Sequence, residues 1–130
     1  MMKIVGTAII VDKNKKILIG QRPEGKALPG LWEFPGGKLE DGETVEQCII
    51  REIKEELNVC CKVGRFLLSV SKEYEHGDFK LMVYEATIQD MEHLKANVHQ
   101  DLRWVSPFEM KNYEFPPADV EIIEYLIQNF

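Results

Sequence analysis

The chain has few cysteines, no excess of positive charge, and no apolar run long enough to cross a bilayer. Each shortage removes a class of protein. Three cysteines in 130 residues, Cys48, Cys60 and Cys61, give neither a disulfide framework nor a zinc spacing, since two are adjacent and one would be left over. They read as reduced, structural thiols. Lys and Arg number 16 against 22 Asp and Glu, a formal charge of −6, whereas duplex binding normally rests on clustered cations that displace counterions. Nucleic acid is not an expected partner, and an acidic chain that handles phosphates needs a metal bridge. The longest apolar stretch, Ile4 to Val11, falls short of the roughly eighteen residues that a span requires and is broken by Gly6 and Thr7. No membrane insertion is expected. Met1-Met2-Lys3-Ile4 lacks the apolar stretch and cleavage site of a secretory signal, which makes the cytoplasm the expected location. Internal repeats and low-complexity segments are also lacking.

What is present fits one globular domain over residues 1–130. With 45% hydrophobic and 29% charged residues, such a chain buries roughly two-thirds of its unfolded surface in one core. Lys3 to Val11 is rich in Ile and Val, ends at the polar turn Asp12-Lys13-Asn14-Lys15, and is followed by Lys16 to Arg22 with Ile17 and Ile19 on alternate positions. The pattern predicts a hairpin. Pro23 to Leu31, with prolines and glycines, is irregular and leads into Trp32-Glu33-Phe34-Pro35-Gly36-Gly37. Long ordered loops in small domains are often functional, so this is the first place to look for a site. Thr44 with Gln47 matches a capping box that opens a helix from Val45 to Leu57, with Val45, Ile49, Ile53 and Leu57 as its buried stripe and Asn58 as its left-handed stop. Phe66 to Tyr74 and Phe79 to Ile88 read as strands joined through His76-Gly77-Asp78, and Leu102 to Val105 as a further short strand. Pro116-Pro117 precedes a last amphipathic helix, with Val120, Ile123, Tyr125 and Ile127 among its apolar positions. The expected class is α+β, a sheet flanked by at least two helices.

The first helix carries Glu52, Glu55 and Glu56 within Arg51-Glu52-Ile53-Lys54-Glu55-Glu56. At about 100° per residue they occupy one arc bordering the buried stripe. Like charges so spaced cost a few tenths of a kcal/mol per pair, which a divalent cation would offset, and carboxylates suit Mg²⁺ or Mn²⁺. Taken alone, the run could equally be a solvated acidic face balanced by Arg51 and Lys54.

The preceding residues decide between the two. Gly37, five residues, Glu43, seven residues, then Arg51-Glu52-Ile53-Lys54-Glu55-Glu56, with Val59 further on, resembles the signature box of the Nudix hydrolases, G-x5-E-x7-R-E-U-x-E-E-x-G-U. A chance match to its six fixed residue types is on the order of 10⁻⁷ per start position. With Trp32 to Lys38 before it and Phe115-Pro116-Pro117-Ala118-Asp119 near the end, the chain is most similar to the MutT branch, which splits nucleoside triphosphates into monophosphate and pyrophosphate, and to its cytidine-acting relatives. The resemblance implies a mixed β-sheet sandwiched between α-helices and a Mg²⁺-dependent enzyme acting on a small nucleotide as monomer or homodimer. It implies Glu55 and Glu56 as metal ligands, Glu52 as ligand or water-orienting base, and the carbonyl of Gly36 or Gly37 as a further ligand. Glu43 and Arg51 are implied to be structural. It also implies substrate contacts at Phe34, which could equally be a core aromatic, and at Arg22, Lys38 and Asp119. Ionised aspartate only accepts hydrogen bonds, which favours bases presenting donors such as guanine, 8-oxoguanine or cytosine. Asp119 could also cap the last helix.

Two residues depart from the family pattern. Asn58 replaces a glycine, which its tolerance of the left-handed conformation permits. Val98 stands where relatives often have a glutamate that acts as extra ligand or base. Glu52 alone could then supply the base, or His99 or Asp101 from the neighbouring loop, although His99 by itself reads as a surface histidine. Two further readings stay open: hydrolysis of ADP-ribose or a dinucleoside polyphosphate, and a non-catalytic nucleotide-binding domain.

Overall fold

Strand β1 (Met2–Ile10) turns Ala8 and Ile10 to one side and Ile9 to the other, and all three are fully buried. The computed structural model describes residues 2–75 and 77–130. After β1 the carboxylate of Asp12 accepts from the backbone N–H of Asn14 (2.8 Å) and of Lys16 (2.9 Å), and a bridge between Val11 and Ile17 starts the expected hairpin. The hairpin goes no further. β1 pairs in parallel with β6 (Gly77–Ile88), while β2 (Ile17–Gln21) pairs antiparallel with β7 (Asp101–Val105). A ladder hydrogen bond nets only about 1 kcal/mol, whereas burying an Ile or Leu side chain is worth roughly 1.5–3. Both strands are apolar on both faces, Leu18 included, so each is placed inside a sheet of its own with cover on either side.

The strands form a four-stranded mixed sheet in the order β4-β1-β6-β5 and a three-stranded antiparallel sheet in the order β3-β2-β7. β3 (Trp32–Glu33) pairs with β2 and β4 (Gly36–Lys38) with β1, so the chain crosses from one sheet to the other within Phe34-Pro35. The long β5 (Cys61–Tyr74) runs antiparallel to β6, with irregular register between Val63 and Leu68. His76, in the expected connection between these two strands, lies outside the described residues. Helix α1 (Val45–Leu57) packs Ile49, Ile53 and Leu57 on Ala8, Ile10, Leu18 and Ala86. Helix α2 (Val120–Asn129) packs Ile122 and Leu126 on Ile9, Ile17, Ile19 and Val83. Both sheets thus feed both cores, and the α+β layering has two sheets between its helices. On α2 the fully buried positions are Ile122 and Leu126, whereas Val120 is exposed.

α1 starts and stops as its sequence dictates. Thr44 Oγ1 accepts from the N–H of Gln47 (3.1 Å) while Gln47 Oε1 accepts from the N–H of Thr44 (2.9 Å). Asn58 adopts φ 61°, ψ 27°. The last four carbonyls of a helix need partners from outside it. Here Asn58 N–H serves Lys54 (3.1 Å), Asn97 Nδ2 serves Glu55 (3.1 Å), Asn97 N–H serves Glu56 (2.9 Å) and Lys95 N–H serves Leu57 (2.9 Å). The segment after β6 is thereby stapled to the acidic end of α1.

Candidate active site

Arg51 organises the outer side of the acidic helix. Its Nε donates to Glu43 Oε2 (2.7 Å) and its Nη2 to Glu43 Oε1 (3.0 Å) and to the carbonyl of Lys38 (3.1 Å), tying the 38–43 loop to α1. Those bonds hold Glu43 well below the usual carboxylate range, at about 2. Nη1 reaches Glu52 Oε1 (2.9 Å) and Glu55 Oε2 (3.5 Å). The three glutamates differ in exposure: the side chains of Glu52 and Glu56 are 17% and 11% exposed, that of Glu55 59%.

Glu52 and Glu56 share a cramped space. Burial pushes Glu56 up to about 9, and the hydrogen bond and charge of Glu52 and the charge of Glu33 add to it, while the Gly36 backbone acts the other way. Glu56 Oε1 is buried with no hydrogen-bond partner. The glycine pair makes the space possible: a Cβ on Gly37 would run into the Glu52 carboxyl, and one on Gly36, at φ 150°, into the carbonyl of Gly6. A buried oxygen lacking a partner, beside a second carboxylate and glycine backbone, fits a hard divalent cation, which would stabilise the charges that burial penalises. Among the described residues no three acidic, His or Cys side chains stand close enough to cage one.

His99 is not a surface residue. Its side chain is 1% exposed, with Nε2 2.8 Å from Glu33 Oε2 and 4.0 Å from Glu56 Oε1. The ring lies on β2 where only glycine leaves room, since a Cβ on Gly20 would come within 2.6 Å of it. The local sequence conceals this because burial follows from the stapling of residues 95–97 to α1 and of the Gln100 N–H to the carbonyl of Gln21 (3.0 Å). Asp101 takes a different course: its oxygens accept from the N–H of Leu102 (2.9 Å) and from Arg103 Nε (3.1 Å).

Beside the carboxylates lies a cavity of about 410 Å³, within the range of small-molecule sites. Arg22, Phe34, Gly36, Gly37, Lys38 and Asp119 all line it, so segments far apart in sequence meet at one place. Phe34 is both core and wall, buried and 5.4 Å from the ring of Phe115. Asp119 is 8% exposed, and burial, then the charge of Glu33, push it up to about 7. It does not cap α2: no side-chain cap bond forms, and φ −86°, ψ −7° is helical rather than the extended geometry of a capping residue. A smaller cavity, about 200 Å³, holds Glu56, Lys26 and Val98 and shares Arg22, Glu33 and Gly36 with the first.

Sequence reading missed Glu33, Leu28, Lys72, Phe79 and Leu81 as lining residues. Lys72 and Phe79 are cross-strand partners in the β5–β6 register, which only the folded sheet reveals. Glu33 sits in the partition between the two cavities. Burial works to raise its pKa, yet hydrogen bonds from His99 and Arg22 outweigh it and hold Glu33 below the ordinary carboxylate value. Leu28, at φ 53°, takes a left-handed backbone that a leucine adopts only under constraint.

A NUDIX domain model matches residues 6–125. The CTP pyrophosphohydrolase of Escherichia coli K12 is 37% identical over 125 residues, 95% of this chain and 91% of that protein. An 8-oxo-dGTP diphosphatase of the same organism is 31% identical over 123 residues, 94% of each chain. The solution structure of the E. coli ORF135 protein superposes with a TM-score of 0.83 at 35% identity, covering 98% of this chain and 89% of that one. The chain belongs to the NUDIX family of hydrolases. Hydrolases of this family are generally dependent on a divalent metal. Among the described residues no helix is long and apolar enough to cross a membrane.

Proposed function

We propose that residues 1–130 form one Nudix domain that hydrolyses a nucleoside triphosphate to the monophosphate and pyrophosphate, with 8-oxo-dGTP or a cytidine nucleotide as substrate, in cytoplasmic nucleotide-pool sanitation. The observation that carries this reading is the buried, partnerless Glu56 Oε1 beside Glu52, with Glu56 lining a small cavity that shares Arg22, Glu33 and Gly36 with the larger one lined by Asp119 and Phe34. Glu52, Glu55 and Glu56, with the Gly36 or Gly37 carbonyl, would hold Mg²⁺ or Mn²⁺. Such an ion neutralises polyphosphate charge and lowers the pKa of bound water.

The chain's own residues divide the remaining tasks. Arg22 and Lys38 give the cavity cationic groups for phosphate oxygens, and Phe34 offers an aromatic wall to a base. Asp119 accepts from base N–H groups when ionised, and its position near 7 lets a donor-bearing base draw it into that form. Glu52 orients the attacking water. Glu43 and Arg51 hold the loop in place and touch no substrate.

Pyrophosphate release from a panel of dGTP, 8-oxo-dGTP, CTP and dCTP with Mg²⁺ tests the reading. AMP from ADP-ribose would place the chain elsewhere in the family, and binding without product would make it a non-catalytic domain. Asp119→Asn is expected to change the order of preference within the panel. An unaltered order would move base recognition away from Asp119.

A further inference from the structure

We infer that His99 is a positioning residue: it holds Glu33, which lines both cavities, and through Glu33 it sets the guanidinium of Arg22, which lines both as well. The bonds form a continuous chain. Arg22 Nη1 donates to Glu33 Oε1 (2.7 Å), and Glu33 Oε2 lies 2.8 Å from His99 Nε2. Because Glu33 is held ionised, it only accepts, so Nε2 carries the proton in this bond. Arg22 Nε in turn donates to the carbonyl of Ala27 (2.6 Å), which ties the 23–31 loop to the same chain. With both carboxylate oxygens engaged, Glu33 has one orientation, and Arg22 has one direction of approach to the cavity.

The placement of His99 supports this role over simple packing. Its Nδ1 is buried without a partner, a desolvation cost that a leucine of similar bulk would avoid. Its segment is anchored to the carbonyls of Glu55 and Glu56 and to Gln21, so the ring is fixed relative to the acidic helix as well as to β2. A chain of this kind keeps Arg22 in register with the Glu52 and Glu56 carboxylates. The inference rests on the hydrolase reading above for the activity that it modulates.

The test compares wild type with His99→Leu, which lacks the donor, and His99→Gln, whose amide reaches to where Nε2 lies. His99→Leu should keep or raise the melting temperature while raising KM about tenfold, with kcat changed less, and His99→Gln should restore KM. In an Arg22→Ala background, His99→Leu should add little, because the chain already ends at Glu33. Multiplying effects, or a glutamine variant as impaired as the leucine one, would overturn the inference. The ¹⁵N-detected Arg22 Nη1–H signal, protected by Glu33 in wild type and in His99→Gln and lost in His99→Leu, gives a readout independent of turnover. An unchanged signal in His99→Leu also overturns it. If wild type hydrolyses no nucleotide, the functional reading fails and this signal alone decides the positioning role. Should His99→Leu not fold, His99→Asn, too short to reach Glu33, takes its place.

Discussion

Glu56 is the residue on which chemistry and stability conflict most directly. Its carboxyl is buried beside Glu52 with one oxygen lacking a partner, which a core would not tolerate for packing alone. Glu56→Gln keeps the shape and removes the charge. Turnover should fall by orders of magnitude, while the melting temperature measured without metal at pH 8 should stay level or rise. Unreduced turnover would take Glu56 out of the site. Val98 supplies a complementary test, because it lines the smaller cavity with Glu56, Arg22 and Lys26. Val98→Glu brings a carboxylate to the place where relatives often carry one, flanked by two cations. A kcat increase of about tenfold is expected if general-base assistance is what the valine lacks. A flat or lower kcat would mean that the base already resides among Glu52, Glu55 and Glu56.

At the scale of elements, α1 and the 95–100 segment act as one unit. The helix offers its terminal carbonyls, and Asn97 answers two of them with its backbone and its side chain. Asn97→Ala removes the bond to Glu55 only and should cost about 0.5–1.5 kcal/mol, measured by denaturant unfolding. A cost near zero would show that solvent serves that carbonyl equally well. Much of α1 was legible beforehand: the box of Thr44 and Gln47, the stripe of Ile49, Ile53 and Leu57, and the left-handed Asn58 are local signals, and the helix spans Val45–Leu57 as they require. The fate of β1 and β2 was not legible. A turn at Asp12 looks the same whether the flanking strands stay together or part, and the burial of both faces of each strand, which separates them, is a property of the assembled layers.

At the scale of the molecule, two buried acids set how stability responds to pH. Asp119 and Glu56 are held up to about 7 and about 9, above their ordinary values of 3.8 and 4.5. The folded protein therefore keeps protons that the unfolded chain releases. Stability from this source is greatest below about pH 4 and is lost as pH rises through 7 and on to 9. Glu43, held at about 2, acts in the opposite sense, and its contribution disappears only as pH falls from 4.5 toward 2. Thermal melts without metal should accordingly fall between pH 6 and pH 9. Added Mg²⁺ should raise the melting temperature more at pH 8 than at pH 6, because the ion competes with the proton on Glu56. Equal shifts at both pH values would argue against Glu56 as a ligand.

The sequence by itself determined the acidic helix, its caps, the glycine pair before it and the family to which the chain belongs, because these are encoded in neighbours along the backbone. Phe34, Lys38 and Asp119 were also marked there, through motifs. Only the tertiary structure decided that Glu55 is exposed while Glu52 and Glu56 are largely buried. It alone decided that Glu33 forms the partition between two cavities and that His99 lies buried against it. Those placements depend on two sheets meeting at Phe34-Pro35 and on a loop clasped to the end of a helix. Contacts between distant segments leave no periodicity or spacing to read.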